Sequence, residues 1–154
     1  MRVKSLALGA AGLLMLSLPA LAGPPFVTDD PEPVELGHWE VYGFSAGTQV
    51  QGDRSGTLTG IEVNNGAAPG LQLHAIVPLA FDAPKNAPTV TGLGDIELGA
   101  KYRFFNPAEG DWRPEVGMFP LIELPTGDAA KGLGGGHLRA YIPVWLQKNF
   151  GRWT

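Results

Sequence analysis

The feature that most constrains this chain is the strict alternation of apolar and polar side chains from Asp95 to Phe104. Successive side chains of a β-strand point to opposite faces, whereas an α-helix repeats about every 3.6 residues. The alternation therefore predicts a strand with one apolar and one polar face. Similar patterns over residues 71–81, 115–124 and 137–147, and weaker ones over 37–48 and 57–65, predict an all-β antiparallel fold of about six strands.

The predicted strands are longer than those of most soluble sheets. They extend over about 10 to 13 residues, whereas strands of globular proteins usually have about 5 or 6. A tilted strand that crosses a membrane needs about 9 to 11 residues. The predicted connections at residues 66–70 and 106–111 are short, and those at 82–93 and 125–136 are longer. This alternation is typical of outer-membrane barrels, in which the short turns face the periplasm.

The first residues of the chain have the form of a cleaved export signal. Arg2 and Lys4 precede an apolar run from Leu6 to Leu18, and Ala20 and Ala22 are the small residues that a signal peptidase recognises. The apolar run is too short to cross a bilayer as a helix. The predicted organisation is a signal peptide over residues 1–22, an extended periplasmic arm over 23–36, and barrel strands over 37–154, with a seventh strand beginning near Gly151.

Composition excludes several classes of function. The net charge of −4 and the pI of about 5.3 provide no basic surface for nucleic acid. The absence of cysteine excludes disulfides, thiol catalysis and cysteine-ligated zinc. His38, His74 and His137 lack metal-ligand spacing, and the Gly-rich segment 132–136 lacks the Lys-Ser/Thr pair of a phosphate loop. The sequence therefore predicts a protein that is not an enzyme and carries no cofactor or metal.

The polar faces of the predicted strands supply the candidate site residues. If the strands form a membrane barrel, these side chains line its lumen: Glu62, Asn64, Gln72, His74, Asp95, Glu97, Lys101, Arg103, Glu115, Glu123, His137 and Arg139. We expect Arg103 to pair with Glu115, and Asp95 to oppose Glu123 as a repulsive acidic pair near the outer mouth. Such charges either fill the interior as a structural network or line a permeation path and tune its selectivity.

Aromatic residues near predicted strand ends are candidates for an interfacial girdle. Indole and phenol rings favour the headgroup layer of a membrane because they combine apolar and hydrogen-bonding parts. Trp145 differs, since its position in the alternation places it on the polar face, where it could plug the lumen. The interfacial candidates are Trp39, Tyr102, Trp112 and Trp153.

Four segments resemble the MetA-pathway phenol-degradation family of outer-membrane β-barrel transporters from Gram-negative bacteria. They are residues 23–34 with His38-Trp39-Glu40, residues 94–104, residues 119–127, and residues 143–148 with Gly151-Arg152-Trp153-Thr154. The resemblance covers nearly all of the chain after the signal peptide. It implies an outer-membrane location and a link to the uptake of aromatic compounds. Members of that family continue with more strands after the equivalent of Thr154.

Together these patterns predict an antiparallel transmembrane β-barrel of the outer-membrane type that is incomplete in this chain. Six or seven strands are fewer than the eight of the smallest such barrels. A C-terminal truncation is the expected reason, and oligomeric closure or a soluble fold are the alternatives. The predicted function is passive passage of small aromatic or hydrophobic molecules, with outer-membrane lipid and a small solute as partners. The alternative is a soluble periplasmic β-sandwich or lipocalin-like ligand-binding protein. The sequence predicts no oligomeric state.

Overall fold

The computed structural model of the chain describes residues 32–108 and 110–148. The predicted signal peptide, most of the predicted arm, Trp153 and the predicted start of a seventh strand lie outside these residues. Within the described part no helix is long and apolar enough to cross a membrane. The strands are β1 (Trp39–Val50), β2 (Asp53–Ala68), β3 (Leu71–Ala83), β4 (Val90–Leu93), β5 (Ile96–Phe105), β6 (Glu115–Met118), β7 (Leu121–Leu124), β8 (Arg139–Tyr141) and β9 (Val144–Gln147), with one 3₁₀ turn at Ala129–Lys131.

Several short strands follow one another in line and pair with the same neighbour, and we call each such line a ribbon. The ribbons are β1, β2, β3, β4 with β5, β6 with β7, and β8 with β9, so the nine strands form six ribbons. Pro120 and Pro143 interrupt the last two ribbons, since proline has no N–H to donate to the ladder. The carbonyls of these prolines still accept ladder hydrogen bonds, from Ala100 at 3.1 Å and from Phe119 at 2.9 Å. The six ribbons correspond to the six segments that the alternation predicts.

The ribbons form one antiparallel sheet that curls into a half-barrel. Each ribbon lies beside its neighbours in the chain, and every strand pair is antiparallel. The all-β antiparallel prediction is therefore confirmed for the described residues. Among those residues β1 pairs only with β2 and β9 pairs only with β6, so the sheet has two edges. We call one end of the ribbons the arm end, with residues 32–36, 69–70 and 106–114, and the other the loop end, with 51–52, 84–89 and 125–138.

The two faces of the sheet are inverted relative to a soluble protein, in which large apolar side chains are usually buried. Apart from glycine and proline, the buried residues of the described part are more often polar than apolar. Polar or charged ones are Thr57, Glu62, Asn64, Gln72, His74 and Lys101, and apolar ones are Ile76, Ala83, Phe119 and Leu133. The convex face instead exposes large apolar side chains, which include Val41, Ile61, Leu73, Val77, Leu79, Leu98, Tyr102, Phe104, Ile122, Val144 and Leu146.

The apolar convex face extends over most of the length of β3. The outward positions of this strand run from Leu71 to Phe81 without a charged side chain. At about 3.3 Å per residue this stretch is roughly 33 Å long.

The predicted alternation of short turns and long loops is wrong in part. Strand β4 occupies residues 90–93, so the connection at the loop end shortens to residues 84–89, while the connection 106–114 at the arm end is longer. A hairpin turn at Gln51-Gly52 joins β1 and β2, so these two strands extend beyond the predicted segments 37–48 and 57–65. Both of its residues have positive φ, 53° and 101°, as a type I′ turn requires to match the twist of the strands. Among the connections between described strands, residues 125–138 form the longest loop.

Candidate functional site

The concave face presents its side chains in rows that run across the ribbons. Directly opposite residues of antiparallel strands share a face. In one row Glu62 opposes Ile76, which opposes Glu97, followed by Glu123 and Arg139. The next row toward the arm end contains Asn64, His74, Gly99 and Leu121, and the row after it contains Gln72 and Lys101. The sheet thus gathers polar residues from five ribbons on the concave face of the half-barrel.

Asn64 is the centre of this polar cluster and is 3% exposed. Its amide Nδ2 donates to Glu62 Oε1 at 2.8 Å. Its Oδ1 accepts a hydrogen bond from Gln72 Nε2 at 2.9 Å and lies 2.7 Å from His74 Nδ1. Every polar atom of the Asn64 side chain therefore has a partner, as a buried amide requires.

His74 lies between two oxygen atoms of the concave face. Asn64 Oδ1, 2.7 Å from His74 Nδ1, can only accept a hydrogen bond. On the other side of the ring, Nε2 lies 3.0 Å from Glu97 Oε1. The imidazole therefore links the Asn64 side chain on β2 to the Glu97 carboxylate on β5.

The acidic pair on β5 and β7 differs from the predicted one. Glu97, and not Asp95, lies opposite Glu123, because the register is shifted by two residues from the one predicted. A shift of two leaves every side chain on its predicted face. His74 lies beside Glu97, and Arg139 Nε lies 2.6 Å from Glu123 Oε2, although its N–H does not point at that oxygen. The two like charges are thus each accompanied by a basic side chain.

The predicted ion pair between Arg103 and Glu115 is present, with Nη1 3.3 Å from Oε2. The same register shift places Arg103 opposite Gly117, so the side chain reaches diagonally to Glu115. Both side chains are largely buried on the concave face.

A pair of aromatic rings also lies on the concave face. The rings of Phe119 and Trp145 are 5.8 Å apart, and the Lys101 ammonium lies 5.6 Å from the first and 5.8 Å from the second. The His74 ring packs edge-on against Phe119 at 5.1 Å. A side chain at Gly99 would collide with Phe119. Trp145 thus lies inward, as its position in the alternation predicts, and attractive contacts between a cation and ring faces hold the group together.

The last residues of the predicted arm, which we call the strap (residues 32–36), cross the concave face at the arm end. The Val34 N–H donates to Gln72 Oε1 at 3.0 Å, and Lys101 Nζ donates to the Glu32 carbonyl at 3.4 Å. Glu32 Oε1 lies 3.7 Å from Arg103 Nη1. The strap and the cluster both border a cavity of about 820 Å³, which Tyr42 and Phe44 line from β1.

Asp95 holds the long loop over the loop end of the same face. Its side chain is 6% exposed and accepts hydrogen bonds from the N–H groups of Gly127 at 3.0 Å and Gly135 at 2.7 Å. Leu133 of that loop is buried, and residues of the loop border a second cavity of about 370 Å³. Asp95 therefore anchors the loop. The sequence alone does not predict these contacts, because the two glycines lie more than thirty residues from Asp95.

We expect Asp95→Ala to release the long loop, because the N–H groups of Gly127 and Gly135 would lose their acceptor, and each of these hydrogen bonds contributes about 0.5–1.5 kcal/mol. Limited trypsin digestion should then cut faster after Lys131, which lies in the loop. Asp53→Ala is the matched control, since Asp53 accepts from the Lys85 N–H in a different connection. This control should speed cleavage after Lys85 and leave Lys131 unchanged. Equal cleavage after Lys131 in Asp95→Ala and the unaltered protein would contradict the anchoring role.

The described interfacial candidates lie toward the arm end. The rings of Trp39 and Tyr102 are exposed on the convex face, and Trp112 is exposed in the connection 106–114. Asp111 and Arg113 are the residues on either side of Trp112 in the sequence. Hydrogen bonds from Arg113 lower the pKa of Asp111 to about 2. Trp153 lies outside the described residues.

His137 does not join the concave cluster. β8 begins at Arg139, so His137 belongs to the long loop, where its Nδ1 lies 2.7 Å from the Gly135 carbonyl oxygen and its side chain is exposed. The remaining candidates from the polar faces lie on the concave side as the alternation predicts. The prediction did not include Phe119, nor Tyr42 and Phe44 of β1. Phe119 lies four residues from both Glu115 and Glu123, and Tyr42 and Phe44 lie two and four residues from Glu40. These even spacings from charged residues of the inward face are the signal that could have found them.

Among the described residues no group of histidine, aspartate and glutamate is arranged to hold a metal ion. Comparison with protein-family models, with curated proteins and with solved structures finds no match to this chain. The resemblance to the MetA-pathway family therefore stays a prediction based on the four segments that carry it.

Proposed function

We propose that this chain forms part of an outer-membrane β-barrel through which small aromatic or hydrophobic molecules pass passively. One observation carries the proposal. The sheet buries its polar side chains on the concave face and exposes its large apolar side chains on the convex face. In water the convex face would be unfavourable, because monomeric soluble proteins rarely expose a contiguous apolar surface of this size. In a bilayer the same face would contact acyl chains.

The alternative, a soluble sandwich or lipocalin-like binder, needs the opposite arrangement. Such proteins turn their apolar face inward, toward a second sheet or a ligand. Here the inward face of the described residues contains a buried cluster around Asn64 and His74. The arrangement of side chains therefore favours the barrel over the binder.

In this proposal the polar concave face would line the passage, and the strap and the long loop would narrow its two ends. Unpaired strand edges are costly in hydrocarbon, because each unsatisfied backbone group costs several kcal/mol. In a bilayer the two edges of the described sheet would therefore need partner strands. The acidic and basic side chains of the concave face would then influence which solutes pass.

Fractionation of Gram-negative cells that express the chain tests this proposal. We expect the processed protein to sediment with the outer membrane, to require detergent for extraction, and to migrate faster on a gel when it is not heated. A periplasmic wash should contain little of it. Recovery of the processed protein from that wash as a soluble, folded monomer would refute the membrane location and favour the binder.

A further inference from the structure

Two cavities follow one another along the concave face. The larger one, of about 820 Å³, lies at the arm end beside the strap, and the smaller one, of about 370 Å³, lies at the loop end beside the long loop. Both volumes fall in the range of about 300–1,000 Å³ in which proteins bind small molecules. Phe44 borders both cavities and is the residue that their two linings share. The boundary between the cavities therefore lies at this side chain.

The Phe44 ring lies over a glycine of the neighbouring strand. Phe44 on β1 opposes Gly60 on β2, so the two residues share the concave face. A side chain at Gly60 would overlap three carbons of the Phe44 ring. Gly60 is itself buried, although it has no side chain. The ring therefore fills the space above the sheet that a side chain at position 60 would occupy.

Phe44 is also the largest side chain of its row across the sheet. Gly60 opposes Pro78 on β3, and the Pro78 carbonyl accepts a hydrogen bond from the Gly94 N–H at 2.9 Å. Two glycines and a proline thus follow Phe44 from ribbon to ribbon. The next row toward the arm end instead contains Tyr42, Glu62, Ile76 and Glu97. One aromatic ring above compact residues therefore forms the boundary between the two cavities.

We infer that Phe44 determines the size of the solutes that move from one cavity to the other. The inference rests on the proposed function for its consequence, since it names the residue that would select solutes within the passage. The boundary itself requires only the folded concave face. A phenylalanine side chain turns about two dihedral angles between preferred rotamers, so the ring can move off Gly60. A larger solute needs a larger displacement of the ring, and the ring therefore selects against it.

The chain contains no cysteine, so a single introduced thiol can report on the boundary. Ala80→Cys places that thiol in the lining of the loop-end cavity. The detergent-extracted full chain is then treated with N-methylmaleimide or with the larger N-phenylmaleimide. Adding Phe44→Ala should accelerate alkylation by N-phenylmaleimide roughly two- to tenfold, because the reagent no longer has to move a ring from its preferred rotamer. The acceleration with N-methylmaleimide should be smaller, and Phe44→Leu should give intermediate rates.

Two matched controls separate the boundary from a general loosening of the sheet. Phe104→Ala removes an exposed ring of the convex face and should leave the alkylation rates unaltered. Ala75→Cys places the thiol on the same strand as Ala80→Cys but on its outward face, and its alkylation should not respond to Phe44→Ala.

Three results would overturn the inference. They are unchanged alkylation of the Ala80→Cys chain when Phe44 is replaced, equal acceleration with both maleimides, and equal acceleration at the Ala75→Cys thiol. Phe44→Leu retains an apolar side chain at this position, so the outcome does not depend on the most disruptive variant. Alkylation in detergent does not require an outer-membrane location, and fractionation does not require a boundary at Phe44. The inference and the proposed function can therefore fail separately.

Discussion

Val77→Arg is expected to destabilise the protein in phospholipid vesicles by about 2–4 kcal/mol, the cost of an arginine near the middle of the lipid-facing surface of a barrel. Val77 lies on the convex face of β3 and is 48% exposed. If that face met water, an arginine there would change the free energy of unfolding by only about 0.5 kcal/mol. Denaturant titration of the vesicle-folded protein measures the difference directly.

Thr91→Arg is the matched control for this change. Thr91 is exposed on β4 and lies opposite Phe81, near the loop end, where an outward arginine can reach the headgroups. The expected cost there falls to about 0–1 kcal/mol. Small and equal effects of the two arginines would show that the convex face is hydrated, and the membrane proposal would then fail.

Asn64→Leu is expected to reduce the free energy of unfolding by about 3 kcal/mol or more. The leucine would leave Glu62 Oε1, Gln72 Nε2 and His74 Nδ1 without their shared partner. Each buried polar group that loses its partner costs about 1–3 kcal/mol, and the three losses need not add. The same denaturant titration gives the change, and circular dichroism shows whether the variant retains its sheet.

The neighbouring Asn65 offers a close control, because it differs from Asn64 only in the face to which it points. Its amide donates to the His38 carbonyl at 3.1 Å in an exposed position. Asn65→Leu should therefore change stability by no more than about 0.5 kcal/mol. A loss as large as that of Asn64→Leu would mean that the cost comes from strand propensity and not from the buried cluster.

The sequence is most informative where one face of a strand is uniformly apolar. On β5 the alternation predicts the strand and the inward position of Glu97, Lys101 and Arg103 correctly. On β1 it predicts no face, because Tyr42 and Phe44 point inward beside Glu40 and hide the contrast between apolar and polar positions. The Gln51-Gly52 turn is missed for a related reason, since the polar residues on both sides of it resemble a loop.

The positions of single partners depend on contacts that a local pattern does not contain. Asp95 belongs to a polar face in the sequence, yet its two hydrogen bonds come from glycines in the long loop. Glu97 and not Asp95 opposes Glu123, because register follows from turns, bulges and prolines along several ribbons. The strap is a further example, since a proline-rich segment alone does not indicate that its end reaches Arg103.

By itself the sequence determined which residues share a face, because side chains of a strand alternate whatever the strand pairs with. Only the tertiary structure decided which face is concave and buried. A sheet that buries its apolar face and a sheet that exposes it have the same alternation in sequence. The direction in which the sheet curls decides which of the two faces is buried. That curl places Asn64, His74 and Glu97 from three ribbons in one hydrogen-bonded cluster and leaves the apolar side chains, Val77 among them, facing outward.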